Sequence, residues 1–424
     1  MWRLINPVQH YGWGSTDDIP RLLKVSPDGD PHAELWFGAH PSAPSVAVEV
    51  VSTYDPGQSS GLGVVPLDQV VASRAKDVLG DDVARRFGDR LPFLTKLLSA
   101  ARPLSLQVHP DADQARDRHR REVETGVAPD DRSYPDASHK PELLVALAPT
   151  VALAGFREPT DAAESLSVLA GLGVPGLGSV VAALDGPGAA DRRVAVAFEA
   201  VLGLPREAVS EATGVLAAQA GCTTWGADDT SLKIAASLAV SCPGDVGVVA
   251  SLLLNPVELE PGAGLYVPAG TVHCYVGGFG VEVMASSDNV LRAGLTSKKV
   301  DVPELLSLLD TRPAPAHVVR PEVTWPGAGL TAQRYRTPAP DFELTVVDVH
   351  SPAPVVLPGS RGPRTVVCLD GTATVASAIS SCGVGAGDAV MLGAVDGELR
   401  LSGQARLVVV GVPAAAPTPG GASS

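Results

Sequence analysis

The chain has 424 residues, of which 45% are apolar and 19% are charged, and its formal net charge is −15. This length and composition predict roughly two or three packed domains and exclude a disordered chain or a small disulfide-stapled scaffold. The acidic balance also argues against general binding to nucleic acid or to an anionic membrane surface.

The first third of the chain is predicted to consist mainly of strands and loops. Apolar runs at 46–53 and 91–100 and an alternating segment at 104–110 favour strands. Two charged stretches, at 68–90 and 111–124, have the spacing of helices with a solvated face. The start has no apolar core of signal-peptide length, and the cysteines form no CxxC pair, so we expect a soluble cytoplasmic protein.

Helical character begins near Pro159. The Ala- and Leu-rich stretch at 160–254 has helical periodicity and predicts a helical insertion. Glycines and a proline interrupt its uncharged segment Ser165–Leu184, which we interpret as two helical pieces rather than a membrane span. Its GxGxxG letters follow a predicted helix, so they indicate a helix connection rather than a dinucleotide site. The chain lacks GxxxxGK[ST], GxSxG and HExxH, which argues against a kinase, an α/β-hydrolase and a common zinc protease.

Strand character returns after the insertion. A strand pattern at 257–292 precedes a short predicted helix at 303–310, and a third segment of strands extends from 330 to 412. The segments 261–270 and 385–394 share a Gly-turn-strand-turn pattern. This internal similarity indicates two β units of one kind.

Four side chains from three segments could bind one metal ion. Gln107 and His109 are two residues apart on a predicted strand, so their side chains point to the same face. Glu142 opens an apolar strand, where a carboxylate needs a metal or an arginine as its partner. His273 follows a tight turn between two strands. One amide oxygen, two imidazoles and one carboxylate favour Zn²⁺, with one position left for water or substrate.

A polar loop with two cations follows a strand on which Glu282 lies. Arg292 and Lys298 come after the turn-forming residues 286–289. An ordinary surface loop is the simpler interpretation, just as a single strand histidine is more often packed or solvent-facing than a ligand. Loops beside rigid strands nevertheless hold many binding groups. An arginine and a lysine that reach one pocket would bind a phosphate group.

Taken together, these motifs resemble the type I mannose-6-phosphate isomerases, a family of zinc enzymes of the cupin class. The spacing from Gly262 to His273 is similar to the second cupin motif, with Gly277 where asparagine is usual. Gln107, His109 and Glu142 resemble the first motif. Further similarity, from the N-terminus to about residue 310, lies in YGWG, AELWFGAHPS, PLSLQVHPD, HKPE, PGDVG and SSDNVLRAGLTSK.

The resemblance implies a mainly β fold with a helical insertion: two cupin-type (double-stranded β-helix or jelly-roll) barrels and an α-helical domain. The implied units are a catalytic barrel of 1–155 with 256–322, a helical domain of 156–255 and a C-terminal cupin-like barrel of 323–412. The last barrel has Glu398 near the position of the metal histidine and no Gln-x-His, so we expect it to be metal-free. The tail 413–424 is poor in apolar residues and is expected to be disordered.

The resemblance also implies the interconversion of D-mannose 6-phosphate and D-fructose 6-phosphate through an enediol. One Zn²⁺ would be bound by Gln107, His109, Glu142 and His273. Arg292 would be the catalytic arginine, and Glu282 and Lys140 are the candidates for acid/base catalysis. The positions that line the family's substrate pocket correspond to Lys96, Ser105 and Lys298.

Further expectations concern details of the site and its partner. Ser297 replaces a usual proline and Cys274 a common alanine, and neither change removes a ligand. We expect the zinc ion with Lys96, Lys140, Arg292 and Lys298 to form a cationic patch within an acidic protein. The expected partner is a small-molecule sugar phosphate, without nucleic acid or membrane, and the chain is expected to be a monomer.

The sequence leaves two other functions open. One is a different cupin chemistry, either the isomerisation of another sugar phosphate or an iron oxygenase. Oxygenases usually present two histidines and one carboxylate, so the additional Gln107 argues against that chemistry. The other is a non-catalytic sugar-binding cupin, which would tolerate the loss of Arg292 or Lys140, yet both residues are present.

Overall fold

The computed structural model describes residues 1–50, 63–221, 230–298, 300–359 and 361–414. Helices and antiparallel strands alternate along these ranges. The strands are β1 (Trp2–Ile5), β2 (Val8–Gln9), β3 (Glu34–Phe37), β4 (Val46–Glu49), β5 (Val64–Pro66), β6 (Phe93–Ala100), β7 (Leu106–Val108), β8 (Glu142–Ala146), β9 (Thr150–Phe156), β10 (Leu254–Leu259), β11 (Gly264–Val267), β12 (His273–Ala285), β13 (Leu291–Gly294), β14 (His317–Val319), β15 (Glu322–Gly327), β16 (Leu330–Tyr335), β17 (Glu343–Leu357), β18 (Arg364–Ala376), β19 (Ser381–Gly385), β20 (Ala389–Leu392) and β21 (Leu399–Gly411).

The helices fall into a group before β8, a group between β9 and β10, and one helix after β13. They are α1 (Asp18–Leu23), α2 (Leu67–Ser73), α3 (Ala75–Phe87), α4 (Ala112–Glu124), α5 (Pro159–Gly171), α6 (Leu177–Asp185), α7 (Ala190–Leu202), α8 (Arg206–Ala218), α9 (Thr230–Ser241), α10 (Val246–Ala250) and α11 (Val302–Leu308). Within the described ranges, every helix is too short or too polar to cross a bilayer.

The first sheet has 11 strands and is organised around the long strand β12. The first residues of β12 pair with β7 and β9, whereas its later residues pair with β6 and β8. The path β14-β11-β8-β12-β6-β3-β2 forms the main sheet, and β10 and β13 extend the part around β9 and β7. One continuous strand therefore connects the two parts of this sheet.

The second sheet has 10 strands in the order β15-β16-β17-β21-β18-β20-β1-β4-β5, with β19 paired to β18. Three of these strands come from the N-terminal part of the chain: Trp2 pairs with Met391, and β4 and β5 continue the sheet beyond β1. The expected catalytic barrel included all of 1–155 together with 256–322. A local pattern carries no information on a partner so distant in the chain, so this pairing was not foreseen. The domain boundaries themselves stay a prediction.

A shared core joins the two sheets. Leu97, Leu143 and Val281 of the first sheet belong to the same buried cluster as Val346 and Val408 of the second. A separate core lies among the helices α5 to α10 and reaches the first sheet, where the rings of Phe156 and Phe198 are 5.2 Å apart. Whether the helices form a domain of their own stays a prediction.

The two similar sequence segments have similar local structures. β11 and β20 are both four-residue strands, and each precedes a 13-residue strand, β12 and β21 respectively. The two units lie in different sheets, as expected for two β units of one kind. Part of the predicted strand at 46–53 and most of the predicted disordered tail 413–424 lie outside the described residues.

Candidate metal centre and active site

Strand register brings the predicted site residues together. His273, the first residue of β12, is the cross-strand partner of Gln107 on β7. Gln107 in turn pairs with Arg292 on β13. Glu142 begins β8 and pairs with Met284, further along β12. Because cross-strand partners point to the same face, these pairings place the amide, the imidazole and the guanidinium on one side of the sheet.

Two histidines surround one carboxylate. Nε2 of His109 is 3.2 Å from Oε1 of Glu142, and Nε2 of His273 is 3.2 Å from Oε2 of the same residue. The potential ligand atoms of these three buried residues all lie within 4.8 Å of one another. The side-chain amide nitrogen of Gln107 is 3.3 Å from Nε2 of His273. All four predicted ligands therefore converge, and their role as ligands remains a prediction.

The hydrogen bonds around the histidines suit a bound cation. Nδ1 of His109 lies 2.8 Å from the carbonyl oxygen of Asn289, and Nδ1 of His273 lies 3.1 Å from that of Thr271. Each Nδ1–H can donate to its carbonyl, which leaves an Nε2 lone pair directed at Glu142. Among the described residues, His109 Nε2 and Glu142 Oε2 are buried without a hydrogen-bond partner. A metal ion would satisfy these atoms, and the N/O donor set fits Zn²⁺.

The charge states of these groups agree with such a role. Burial, reinforced by the nearby Lys140 ammonium, lowers the pKa of His109 to about 4, so its imidazole is neutral at pH 7. Burial alone would raise the pKa of Glu142, but Lys140 and the adjacent imidazoles hold that pKa well below its ordinary value. Nζ of Lys140 is 2.8 Å from Oε1 of Glu142. The site therefore offers an ionised carboxylate and a neutral imidazole, the forms that bind zinc.

A cavity of about 490 Å³ opens beside this cluster. Its lining includes the predicted residues Lys96, Ser105, Gln107, Lys140, Glu142, Glu282, Arg292 and Lys298. The imidazoles of His109 and His273 are buried. The described structure therefore gathers every predicted site residue at or directly behind one cavity.

Lys96 is a buried lysine held by two carboxylates. Its Nζ is 3.1 Å from Oε2 of Glu282 and 3.4 Å from Oε1 of Glu34, and it lies 5.1 Å from the centre of the Trp36 ring. Burial would lower the pKa of Lys96, but the two carboxylates raise it overall. Burial raises the pKa of Glu282, and Lys96 only partly opposes this shift.

These contacts correct the expected cationic patch. Lys96 and Lys140 are both ion-paired within the cavity, so their charges are compensated. Arg292 and Lys298 have no carboxylate oxygen within 4.0 Å anywhere in the described ranges. Arg292 is half-buried, and this burial lowers its pKa, whereas Lys298 is exposed. Among the described residues that line the cavity, the positive charge without a carboxylate in contact is therefore confined to Arg292 and Lys298. Arg292 lies on β13 rather than in the predicted loop, and Lys298 lies in the loop that follows this strand.

An aspartate from the helical segment holds this loop. Asp245 precedes α10, and its Oδ1 accepts hydrogen bonds from the backbone N–H groups of Gly247 and Leu295, each at 2.7 Å. Its Oδ2 accepts a bond from the N–H of Thr296 at 3.1 Å. The backbones approach so closely that a Cβ on Gly294 would lie 2.6 Å from Cα of Gly247. The helical segment therefore fixes the loop that carries Lys298.

Several cavity residues were absent from the predicted set. The missed lining residues are Tyr11, Trp13, Glu34, Trp36, Tyr275 and Asp288. Glu34 carried a usable signal, because it is a charged residue within the apolar strand β3, all four of whose residues are buried. Asn289 was missed as well, and its fully buried side chain donates hydrogen bonds to the carbonyl oxygens of Asp136 and Ser138 at 2.8 and 2.7 Å.

A contact from outside the cavity reaches the segment before Glu142. Nε2 of His139 is 2.8 Å from Oδ2 of Asp341, which is buried and lies just before β17. His139 directly precedes Lys140 in the chain. The C-terminal part of the chain is thus connected to the segment that carries Lys140 and Glu142.

Comparison with known proteins agrees with this geometry. Residues 1–159 match the family model of the type I phosphomannose isomerase catalytic domain. The chain is 33% identical over 413 residues to the mannose-6-phosphate isomerase of Escherichia coli, covering 97% of this chain and 99% of that protein. It is 31% identical over 387 residues to the mannose-6-phosphate isomerase of Rattus norvegicus, covering 86% and 84% of the two chains.

Solved structures give the same result. A zinc-bound mannose 6-phosphate isomerase superposes with a TM-score of 0.83 at 33% identity, covering 97% of this chain and 99% of that one. A mutant of phosphomannose isomerase from Salmonella typhimurium superposes with a TM-score of 0.84 at 32% identity, covering 98% and 100%. The similarity therefore extends over nearly the whole chain.

Proposed function

The chain belongs to the type I mannose-6-phosphate isomerase family, and on this premise we propose that it interconverts D-mannose 6-phosphate and D-fructose 6-phosphate. The observation that carries the proposal is the buried His109–Glu142–His273 cluster beside a cavity whose only uncompensated cations, among the described residues, are Arg292 and Lys298. A metal-binding cluster of side chains beside two cations suits a phosphorylated sugar better than a neutral sugar.

Zinc is the proposed cofactor, and Gln107, His109, Glu142 and His273 would bind it. When bound, the ion supplies Lewis-acid polarisation of the substrate oxygens. The neutral His109 imidazole and the ionised Glu142 carboxylate are prepared for this role without further proton transfer. The carbonyls of Asn289 and Thr271 orient the two imidazoles.

Arg292 and Lys298 are buried to different extents, so different roles are proposed for them. Lys298 is exposed and lies beyond β13, so it would attract and bind the phosphate group. Arg292 is half-buried and is the strand partner of Gln107, which brings it beside the metal ligands. A guanidinium in this position would stabilise the negative charge that develops on the enediolate.

Proton transfer between C2 and C1 needs a group that can both accept and donate. Glu282 is buried, lines the cavity and has a raised pKa, so it suits this role near neutral pH. Lys140 is the second candidate, since its Nζ lies 2.8 Å from Oε1 of Glu142, at the edge of the proposed metal site. Substituting Glu282 and Lys140 separately would show which of them transfers the proton.

We also propose the finer features of the architecture. The two units of a four-residue strand followed by a 13-residue strand support one cupin-type barrel in each sheet. The group of helices between β9 and β10 supports a separate helical domain. A monomeric chain and a cytoplasmic location, the compartment in which sugar phosphates are usually metabolised, are proposed as well. Light scattering and fractionation of the host cell would test the last two points.

The decisive experiment combines metal analysis with a coupled assay on mannose 6-phosphate. The wild-type protein is expected to contain about one zinc per chain and to turn over the substrate. His273→Ala should lose both zinc and activity, whereas Arg292→Ala should keep zinc and lose at least about a hundredfold in kcat.

His350→Ala is the matched control, because this exposed histidine lies on β17 of the second sheet. It should keep both zinc and activity. Full activity in protein without metal would refute the zinc assignment. Zinc without turnover of mannose 6-phosphate in the wild type would favour a non-catalytic sugar-binding protein or another substrate.

A further inference from the structure

A second group of arginines lies at one end of the second sheet, far in sequence from the metal ligands. Arg334 is the next-to-last residue of β16, and Arg364 begins β18. Arg334 is the cross-strand partner of Thr345, which pairs with Val409. Arg364 pairs with Gly411, two residues beyond Val409. Because cross-strand partners and residues two apart share a face, both arginines lie on the same face of this sheet.

This face carries the interior core of the second sheet. Each residue of the register described above has an apolar neighbour two positions away on the same strand. These neighbours all belong to one buried cluster: Ala332, Val347, Val366 and Leu407. The arginines therefore continue an apolar interior at its end, where β-barrels commonly bind ligands. The side chain of Arg364 crosses Gly411, where an added Cβ would lie 3.2 Å from Cγ of the arginine.

Arg364 is a buried cation with no carboxylate of a described residue in direct contact. Only 5% of its surface is exposed. Its guanidinium donates hydrogen bonds to the carbonyl oxygens of Gly362 and Gly397, at 3.0 and 2.7 Å. No carboxylate oxygen of a described residue lies within 4.0 Å of it. Burial lowers its pKa to about 10, and the charge of the more distant Asp396 only partly opposes this shift. Burying a guanidinium group destabilises the folded protein unless an anion accompanies it.

Arg334 has a free donor of its own. Its Nη1 lies 3.4 Å from Oε2 of Glu343, but its Nε is buried and has no hydrogen-bond partner among the described residues. Glu343 compensates part of the charge of Arg334. It lies within 4.0 Å of Arg334 but of no other described cation. The charge of Arg364 is therefore opposed only by the more distant Asp396, which is itself ion-paired with the N-terminal ammonium group of Met1.

A narrow cavity and a larger one meet at Arg334. The narrow cavity has a volume of about 40 Å³ and is lined by both arginines and by Thr345. This volume exceeds the roughly 10–15 Å³ that one water molecule needs. The narrow cavity shares Arg334, Glu343 and Gly359 with a cavity of about 460 Å³ that Tyr335 and Phe342 also line. None of the residues that line either cavity lines the catalytic cavity.

We propose that this end of the second sheet binds a small organic anion, whose phosphate or carboxylate group contacts Arg334 and Arg364 and whose remainder occupies the larger cavity. The planar guanidinium fork matches both kinds of oxyanion. The site is independent of the catalytic one and does not depend on the isomerase activity proposed above.

The test is calorimetric titration of the full-length, zinc-loaded protein with two probes, inorganic phosphate and succinate. Phosphate is expected to occupy the catalytic cavity as well, so the same titrations are run on Arg292→Ala, which should retain the second site. Arg334→Gln and Arg364→Gln should each weaken binding at that site by about tenfold or more, since each removes a charged hydrogen bond. Isomerase kcat and KM should stay at wild-type values.

Arg406→Gln is the matched control, because Arg406 lies on β21 beside Asp348 and lines neither cavity. If Arg364→Gln fails to fold, the test uses Arg364→Lys and Arg334→Gln. The first keeps a cation at position 364, and the second leaves Arg364 unchanged. A preference for phosphate or for succinate identifies the class of ligand. The proposal is overturned if folded Arg334→Gln and Arg364 variants bind both probes like the wild type, or if Arg292→Ala binds neither.

Discussion

Lys96 illustrates how much a single buried charge contributes to this site. Its ammonium is shared between Glu34 and Glu282, and all three residues are at most 6% exposed. Lys96→Met would leave two buried carboxylates without a cation, so we expect the free energy of unfolding to fall by about 3–5 kcal/mol. Urea unfolding of the zinc-loaded protein measures this change. Lys76→Met, at an exposed position on α3, should stay within about 0.5 kcal/mol.

His109 gives the metal-free protein a defined response to pH. In the unfolded chain this imidazole takes up a proton near pH 6.5, whereas the folded protein resists protonation until about pH 4. Between these values only the unfolded state binds the proton, so stability falls as the pH falls. Between pH 7 and pH 5 the loss should be about 2 kcal/mol.

Urea unfolding of chelator-treated protein at the two pH values tests this prediction. His109→Gln lacks the titrating group and should lose correspondingly less stability over the same range. Equal pH dependence of the wild type and His109→Gln would show that another group is responsible.

At the residue scale, the convergence of the proposed metal ligands was predictable because the sequence signals of these residues are local. Gln107 and His109 follow from a two-residue alternation, and His273 from a turn between strands. The ion pairs of Lys96 were not predictable, since they join side chains of β3, β6 and β12, and the sequence does not state which strands are neighbours. The sequence therefore indicates the four side chains that converge in the proposed metal site but not which lysines are already ion-paired.

Among the elements, the loop after β13 depends on α10. Asp245→Ala would remove three hydrogen-bond acceptor contacts, to Gly247, Leu295 and Thr296. The loop that carries Lys298 would then be less well ordered, so we expect KM for mannose 6-phosphate to rise roughly fivefold to tenfold, equivalent to about 1–1.4 kcal/mol. Steady-state kinetics and zinc analysis measure the effect, and zinc content should stay unchanged.

Asp245→Asn provides the conservative comparison. Its amide oxygen can still accept the bonds from Gly247 and Leu295, so KM should lie between those of the wild type and Asp245→Ala. If Asp245→Ala leaves KM unchanged, the loop is held by other contacts.

The predicted elements succeeded where a face is buried and failed where none is. β6 was recognised as an apolar run and β7 as an alternating segment, and the helices α2 to α4 as charged stretches with helical spacing. β14 and β15 were missed, and the third segment was expected to begin near residue 330. Their residues are mostly exposed, so neither strand shows the alternation on which a prediction rests.

For the whole molecule, the contact between His139 and Asp341 links the C-terminal part of the chain to the segment that carries Lys140 and Glu142. Asp341→Asn would weaken the hold on the segment that positions Lys140, and we expect kcat to fall by about tenfold to a hundredfold. Zinc content should remain at the wild-type level, because no ligand is changed. Asp348→Asn, on the half-exposed side of β17, is the control and should keep full kcat. An equal loss of kcat in both variants would indicate a general effect on the sheet instead.

The place of β1 between β20 and β4 has a consequence for synthesis. Trp2 and Met391 are register partners, so the second sheet cannot close until the ribosome has made nearly the entire chain. At translation rates of about 5–20 residues per second, β1 waits roughly 20–80 s for its partner strand. During that time its edge and the apolar side chain of Trp2 are open to other chains. The nascent protein is therefore expected to need chaperone protection early, and expression at lower temperature should raise the soluble yield.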